Sequence, residues 1–249
     1  MTDDLLSLRI VTVSPLRRDR DLIREAATTS AVPIETIDAD DAASACHCLA
    51  GDVDLVFLDA AIEDAAIAQI VAAARTTAKP AFSVLLTQTS AASFETDAVA
   101  AKPVQPDDAA RLLESATRVR RPSRVLVVDD SSTMRTIVSK ILGATRFPFV
   151  ISEVGEGIEA IELARQVDFD IVFLDYNMPG FSGLETMAEF KRENRRTTFV
   201  LMTSTPDDAL ADRALAQGAA FLKKPFFPAD IEKLLCGFYG LQALNPNRA

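Results

Sequence analysis

Short runs of Val, Ile, Leu and Phe recur along the chain, and most are followed by a longer stretch in which apolar residues return at helical spacing. In the C-terminal half the runs lie near 124–128, 148–151, 170–174, 198–203 and 219–222. Unbroken apolar runs of this length predict strands covered on both faces. The stretches 132–142, 158–166, 184–193, 206–216 and 228–238 predict helices, and Asp207 and Asp208 are acids suited to a helix first turn. The N-terminal half predicts the same alternation, with strands near 8–13, 33–37, 53–58, 81–86 and 98–101. Strand–helix alternation implies parallel sheets, so the predicted class is α/β: two doubly wound (βα)5 units in tandem.

Self-comparison supports the division. Arg9-Ile10-Val11-Thr12-Val13-Ser14-Pro15 matches Arg124-Val125-Leu126-Val127-Val128-Asp129-Asp130, and Asp52-Val53-Asp54-Leu55-Val56-Phe57-Leu58-Asp59 matches Asp168-Phe169-Asp170-Ile171-Val172-Phe173-Leu174-Asp175, at offsets of 115 and 116. Leu86-Thr87 and Lys102-Pro103 continue the match against Met202-Thr203 and Lys224-Pro225. From Thr to Lys there are 15 steps in the first copy and 21 in the second, so the fourth helix of the first copy is expected to be short, distorted or absent. The expected domains are a first copy over 1–118, a linker over 119–123, a second copy over 124–241 and a tail over 242–249. A linker this short, with Pro122 in it, is expected to hold the copies close.

Composition narrows the function. With 249 residues and 49% of them hydrophobic, each copy can bury a core. A net charge of −10 with two Tyr and no Trp argues against a nucleic-acid surface. The start Met1-Thr2-Asp3-Asp4 is acidic and no apolar run reaches membrane-spanning length, so the expectation is a cytoplasmic protein with no membrane partner. Cys46, Cys48 and Cys236 form no disulfide framework. Cys46-His47-Cys48 are successive helix positions pointing different ways, and read as ordinary helix residues rather than a metal site.

In an open parallel sheet, ligands gather beyond the carboxyl ends of the strands where strand order reverses. The second copy places its unusual polar residues there: Asp129 and Asp130 after the first run, Asp175 at the third, Thr203 at the fourth and Lys224 after the fifth. Three carboxylates within ~5 Å repel by ~3 kcal/mol per pair at an effective dielectric near 20. A hard cation relieves that repulsion, and Mg2+ commonly bridges one or two carboxylates to a phosphoryl group. Lys224 offers a point charge and Thr203 a hydroxyl for phosphoryl oxygens, while a facing carboxylate can act as nucleophile. The chemistry suggested is phosphoryl transfer to Asp175.

Val127-Val128-Asp129-Asp130-Ser131, Leu174-Asp175-Tyr176-Asn177-Met178-Pro179-Gly180, Met202-Thr203-Ser204 and Lys223-Lys224-Pro225-Phe226 together resemble the receiver domain of two-component response regulators, a flavodoxin-like fold, across roughly 122–241. The resemblance implies that Asp175 accepts phosphate from a phosphohistidine of a histidine kinase or histidine phosphotransfer protein. It implies that Asp129, Asp130, Asp175 and the backbone carbonyl of Asn177 ligate Mg2+, and that Thr203 and Lys224 bind the phosphoryl oxygens. Thr203 and Phe221 fall at the switch positions, and Asn177 and Thr205 at positions that tune dephosphorylation by water. Asp130-Ser131-Ser132-Thr133-Met134-Arg135 is similar to chemotaxis-type receivers.

The first copy departs from this pattern. Ser14 and Pro15 replace the acidic pair, Ala61 stands opposite Asn177 and Val99 opposite Phe221, while Asp59, Thr87 and Lys102 remain. One carboxylate facing one ammonium needs no metal, so the expectation is a degenerate pseudo-receiver. The single histidine, His47, offers no internal phosphodonor. The expected function is a stand-alone response regulator of a phosphorelay that signals through a downstream protein target, with a homodimer as a further candidate. Its only expected catalysis is self-phosphorylation from phosphodonors and autodephosphorylation, with no DNA-binding or enzymatic output domain. A phosphate sink for a shared kinase and a phosphorylation-independent scaffold are the alternatives. A haloacid-dehalogenase-type phosphatase is disfavoured, because Asn177 stands where that chemistry needs an acid.

Overall fold

A computed structural model describes residues 7–88, 95–193, 197–204 and 208–243. The first copy runs β1 (Leu8–Val13), α1 (Arg17–Thr28), β2 (Ile34–Ala39), α2 (Ala42–Leu49), β3 (Leu55–Asp59), α3 (Asp64–Thr76), β4 (Phe82–Thr87), β5 (Ala98–Ala101) and α4 (Pro106–Arg120). The second runs β6 (Ser123–Val128), α5 (Ser132–Ala144), β7 (Phe149–Val154), α6 (Gly157–Ala164), β8 (Ile171–Asp175), α7 (Gly183–Glu193), β9 (Thr198–Thr203), α8 (Asp208–Ala216), β10 (Ala219–Lys223) and α9 (Pro228–Phe238).

Each copy forms one five-stranded parallel sheet, ordered β2-β1-β3-β4-β5 and β10-β9-β8-β6-β7. Read from the opposite edge, the second order repeats the first. The tandem flavodoxin-like α/β fold expected from the repeat is therefore the observed one. In both sheets the direction of winding reverses between the first and third strands, which places the crevice at the ends of β1 and β3 and of β6 and β8.

The central strands are buried from both sides, as their unbroken apolar runs require. All five residues of β3 and all five of β8 are buried. In the second copy Leu126, Val128, Val172, Leu174, Phe199 and Leu201 share one face with Ala160, Ala164, Met187 and Phe190 of the covering helices. Phe190 meets Phe199 edge-on with ring centroids 5.4 Å apart. Each such side chain contributes about 1.5–3 kcal/mol on burial. The start of α7 is drawn against the end of β8: a Cβ on Gly183 would lie 2.5 Å from the Asp175 carbonyl oxygen, so only glycine fits where the chain closes beneath the acid.

The expected loss of the first copy's fourth helix falls mainly on 89–94, outside the described residues; Gln88 and 95–97 are not helical. Ser83 and Asp97 tie the two strands across this connection. The Ser83 N–H and hydroxyl donate to Asp97 Oδ2 at 2.8 and 2.9 Å, and the Asp97 N–H returns to Ser83 Oγ at 3.0 Å. Of the residues expected to link the copies, Val119 and Arg120 continue α4 and Ser123 opens β6, leaving Arg121 and Pro122 between elements. By contacts the chain divides into Met1–Arg120 with Leu235–Ala249, and Arg121–Leu234. Within the former, Gly240 (φ 71°) ends α9 and Gln242 pairs antiparallel with Val99 of β5. Among the described residues no helix is long and apolar enough to cross a membrane.

Candidate functional site

In the second copy, four strand ends bring the predicted side chains to one place. Asp129 follows β6 and is held from three directions. Its Oδ1 accepts the Ser131 N–H at 3.0 Å, its carbonyl accepts the Arg135 guanidinium at 2.7 Å, and its Oδ2 lies 2.6 Å from Lys224 Nζ. Asp175 closes β8 and lies 2.8 Å from the same ammonium through Oδ1. Lys224 reaches both because its backbone N–H donates to the Thr203 carbonyl at 2.7 Å, which sets it beyond the last ladder position of β10. Asp129 and Asp175 are buried and Asp130 is exposed, yet the three carboxylates present oxygens within 4.8 Å of one another.

The energetics follow from that crowding. Burial, together with the negative charge of Asp129, holds the Asp175 carboxyl above its ordinary pKa despite the lysine beside it. Burial opposes the charge of Lys224, but its bonds to Asp129 and Asp175 outweigh this and hold its pKa above the ordinary value. One ammonium against three carboxylates leaves two negative charges uncompensated, and Asp130 has no ion pair among the described residues. A set of oxygen donors with excess negative charge fits a hard divalent cation such as Mg2+.

Thr203 ends β9 fully buried, with the Asn177 side-chain amide at 3.5 Å from its hydroxyl. Asn177 is exposed in the loop after β8, and its backbone N–H bonds the Asp175 carboxylate. Phe221 pairs in register with Leu201 and packs half-buried against the core. Thr205 lies outside the described residues.

The first copy holds a different arrangement at the equivalent place. Asp59, 3% exposed, accepts the Ala61 N–H through Oδ1 at 3.0 Å; its Oδ2 lies 2.7 Å from Ser14 Oγ and 2.8 Å from Lys102 Nζ. Burial alone would raise this carboxyl, but the bonds from Lys102, Ser14 and Ala61 together hold it below its ordinary pKa. Lys102 has a second carboxylate as well, Asp19 of α1 at 2.7 Å. The expectation of one carboxylate facing one ammonium is thus corrected: there are two, because the first turn of α1 brings an acid back over the strand end.

Asp19 was not singled out from sequence. Its signal is modest: an acid five residues past Ser14, where the repeat places Met134 in the other copy. A second omission is the arginine six residues past Ser14 in the first copy and past Asp129 in the second. Arg20 donates to the Ser14 carbonyl as Arg135 donates to that of Asp129, and self-comparison would have paired them.

A family model for the response regulator receiver domain matches residues 125–235. The chemotaxis protein CheY of Listeria monocytogenes is 32% identical over 104 residues, covering 41% of this chain and 87% of that protein. The nitrate/nitrite response regulator protein NarL of Escherichia coli is 32% identical over 117 residues, 47% of this chain and 54% of that protein. The chain spans about half the length, or less, of the first curated relatives it matches. A solved structure of a probable two-component system response regulator/GGDEF domain protein covers 93% of this chain and 98% of its own at a TM-score of 0.59 and 21% identity, a likeness of fold. With the family model lying over the half that carries the acid cluster, and a relative matched over 87% of its length, the chain belongs to the response regulator receiver family.

Proposed function

We propose that the chain is a phosphorelay response regulator in which an active receiver over 124–241 accepts a phosphoryl group on Asp175 and a pseudo-receiver over 1–118 does not. The observation that supports this reading is the contrast between equivalent sites: Asp175 shares its crevice with two further carboxylates whose oxygens lie within 4.8 Å, whereas both oxygens of Asp59 are taken up by Ala61, Ser14 and Lys102. Receiver domains act with histidine kinases and phosphotransfer proteins, and members of the family bind Mg2+ in the active site. Asp129, Asp130, Asp175 and the carbonyl of Asn177 are the residues that would hold the ion. When bound it would supply charge neutralisation for phosphoryl oxygens and for the acids around them.

The chain's own residues carry the transfer. An oxygen of Asp175 forms a bond to phosphorus as the bond from phosphorus to the donor's imidazole nitrogen breaks, and the imidazole, already protonated on its other nitrogen, leaves as the neutral base. Lys224, already 2.8 Å from Asp175, stays to balance the oxygens that arrive. Thr203 donates its hydroxyl to them, and its movement releases Phe221 to repack. Output then passes to a downstream protein through the changed surface.

Incubation with a small phosphodonor, with and without Mg2+, followed by intact mass on wild type, Asp59→Ala and Asp175→Ala tests the reading. One Mg2+-dependent phosphoryl group lost only in Asp175→Ala is expected. Labelling retained in Asp175→Ala overturns the assignment.

A further inference from the structure

The first copy keeps the acceptor aspartate, the threonine and the lysine of the site, so the absence of the acidic pair is the obvious reason for it to be silent. The geometry supplies a second. Lys102 Nζ touches Asp59 Oδ2 at 2.8 Å and Asp19 Oδ2 at 2.7 Å, and Ser14 Oγ lies 2.7 and 3.2 Å from the same two oxygens. The four side chains close a ring. The side chains of Asp59, Lys102 and Asp19 are only 3%, 16% and 19% exposed. With Ala61 on Oδ1, both oxygens of Asp59 are already bonded.

We propose that Asp19 is an internal blocking group that occupies the Lys102 ammonium and closes the ring over Asp59, so that the first copy resists phosphorylation independently of its missing acidic pair. The inference rests on the reading that receiver chemistry belongs to the second copy. An arriving phosphoryl group needs the lysine to balance its charge, and here it must first displace a carboxylate held in a nearly enclosed site. In the second copy the repeat offset puts Met134 at this position, and Lys224 meets no acid from α5. Lys224 does hold a second carboxylate, Asp129, but that acid belongs to the cluster that would ligate a bound cation and would turn to it, whereas Asp19 has no cation to leave the lysine for.

The test uses the full chain carrying Asp175→Ala, so that only Asp59 can be labelled. Ser14→Asp with Pro15→Asp restores the acidic pair, and a second protein adds Asp19→Met. With a small phosphodonor and Mg2+, the variant lacking Asp19 is expected to label at least about 10-fold faster, the scale of one charge-assisted hydrogen bond. Equal rates overturn the proposal, as does absence of label from both. A separate measurement avoids the redesigned site: acylation of Lys102, read by peptide mass, is expected to rise about 10-fold in Asp19→Asn over wild type, and an unchanged rate overturns the block. Labelling of Asp175 in an Asp59→Ala protein serves as the control, because its failure would strike the reading of the second copy and leave the Lys102 measurement standing.

Discussion

Replacing the exposed carboxylate of Asp130 by an amide separates repulsion from attraction in the second copy's site. The three acids place oxygens within 4.8 Å of each other, and at an effective dielectric of 20 each pair repels by about 3.5 kcal/mol. Asp130 is exposed, so solvent and salt reduce its share of that repulsion to about 1 kcal/mol. It forms no ion pair among the described residues, so Asp130→Asn breaks no salt bridge. Asp129→Asn differs, because it loses the 2.6 Å bond to Lys224 and leaves that half-buried ammonium with one carboxylate, a cost of about 1–3 kcal/mol. Hydrogen exchange of β6 and β8 amides in metal-free buffer reads the difference within the unit itself. Exchange in Asp130→Asn should slow about fivefold, while in Asp129→Asn it should quicken. In saturating Mg2+ the order of Asp130→Asn and wild type should reverse, because the ion stabilises wild type in proportion to its affinity and the amide is the poorer ligand. If Asp130→Asn exchanges no more slowly than wild type without metal, uncompensated repulsion is not what characterises this site.

Four further perturbations test the structure. Asp175→Asn should stabilise its unit in metal-free buffer, fully above the raised folded-state pKa and less as the pH falls through it, because protonation then sheds the same charge from wild type. Asp59→Asn should destabilise its unit, most above the unfolded pKa and less as the pH falls through the depressed folded one; opposite signs at neutral pH in urea titrations are the check, and equal signs refute the contrast. A Cβ on Gly157 would lie 2.3 Å from Thr186 Oγ1, so Gly157→Ala should cost about 1–3 kcal/mol in thermal or urea unfolding, with part of the loss recovered by Thr186→Ala. The buried Thr12 hydroxyl has no hydrogen-bond partner among the described residues, so Thr12→Val should raise stability by about 1 kcal/mol, seen as a higher urea midpoint at unchanged slope.

The fold was legible because its central strands are apolar without interruption, and such runs have few other stable homes. The edge strands were less clear. β7 runs to Val154, but a strand near 148–151 was the sequence expectation, since Ser152 and Glu153 sit on a half-exposed edge and look like loop residues. β2 is longer than expected for the same reason, with Asp38 inside it. The carboxylates and lysine of the second copy were legible because strand ends place them, and strand ends are readable from where an apolar run stops. Asp19 was not, because it lies on a helix surface and its partner comes from a strand end 83 residues away. No local pattern marks a helical acid that turns inward.

The presence of a lysine beside an acceptor aspartate does not by itself distinguish the copies. Lys224 and Lys102 each hold two carboxylates at 2.6–2.8 Å. What differs is the origin of the second carboxylate. Asp129 comes from a strand end beside another acid, so its charge adds to that of Asp130 in the crevice and the total exceeds what one ammonium can balance. Asp19 comes from a helix turn with a serine and not an acid at the strand end, and it leaves a single negative charge in a ring whose oxygens are hydrogen-bonded. The first arrangement raises the acceptor carboxyl and the second lowers it, although the acceptor is buried in both. Counting the carboxylates of the whole crevice, three in the second copy and two in the first, rather than checking for an aspartate and a lysine, is therefore what separates a site that calls for a cation from one that has supplied its own counter-charge.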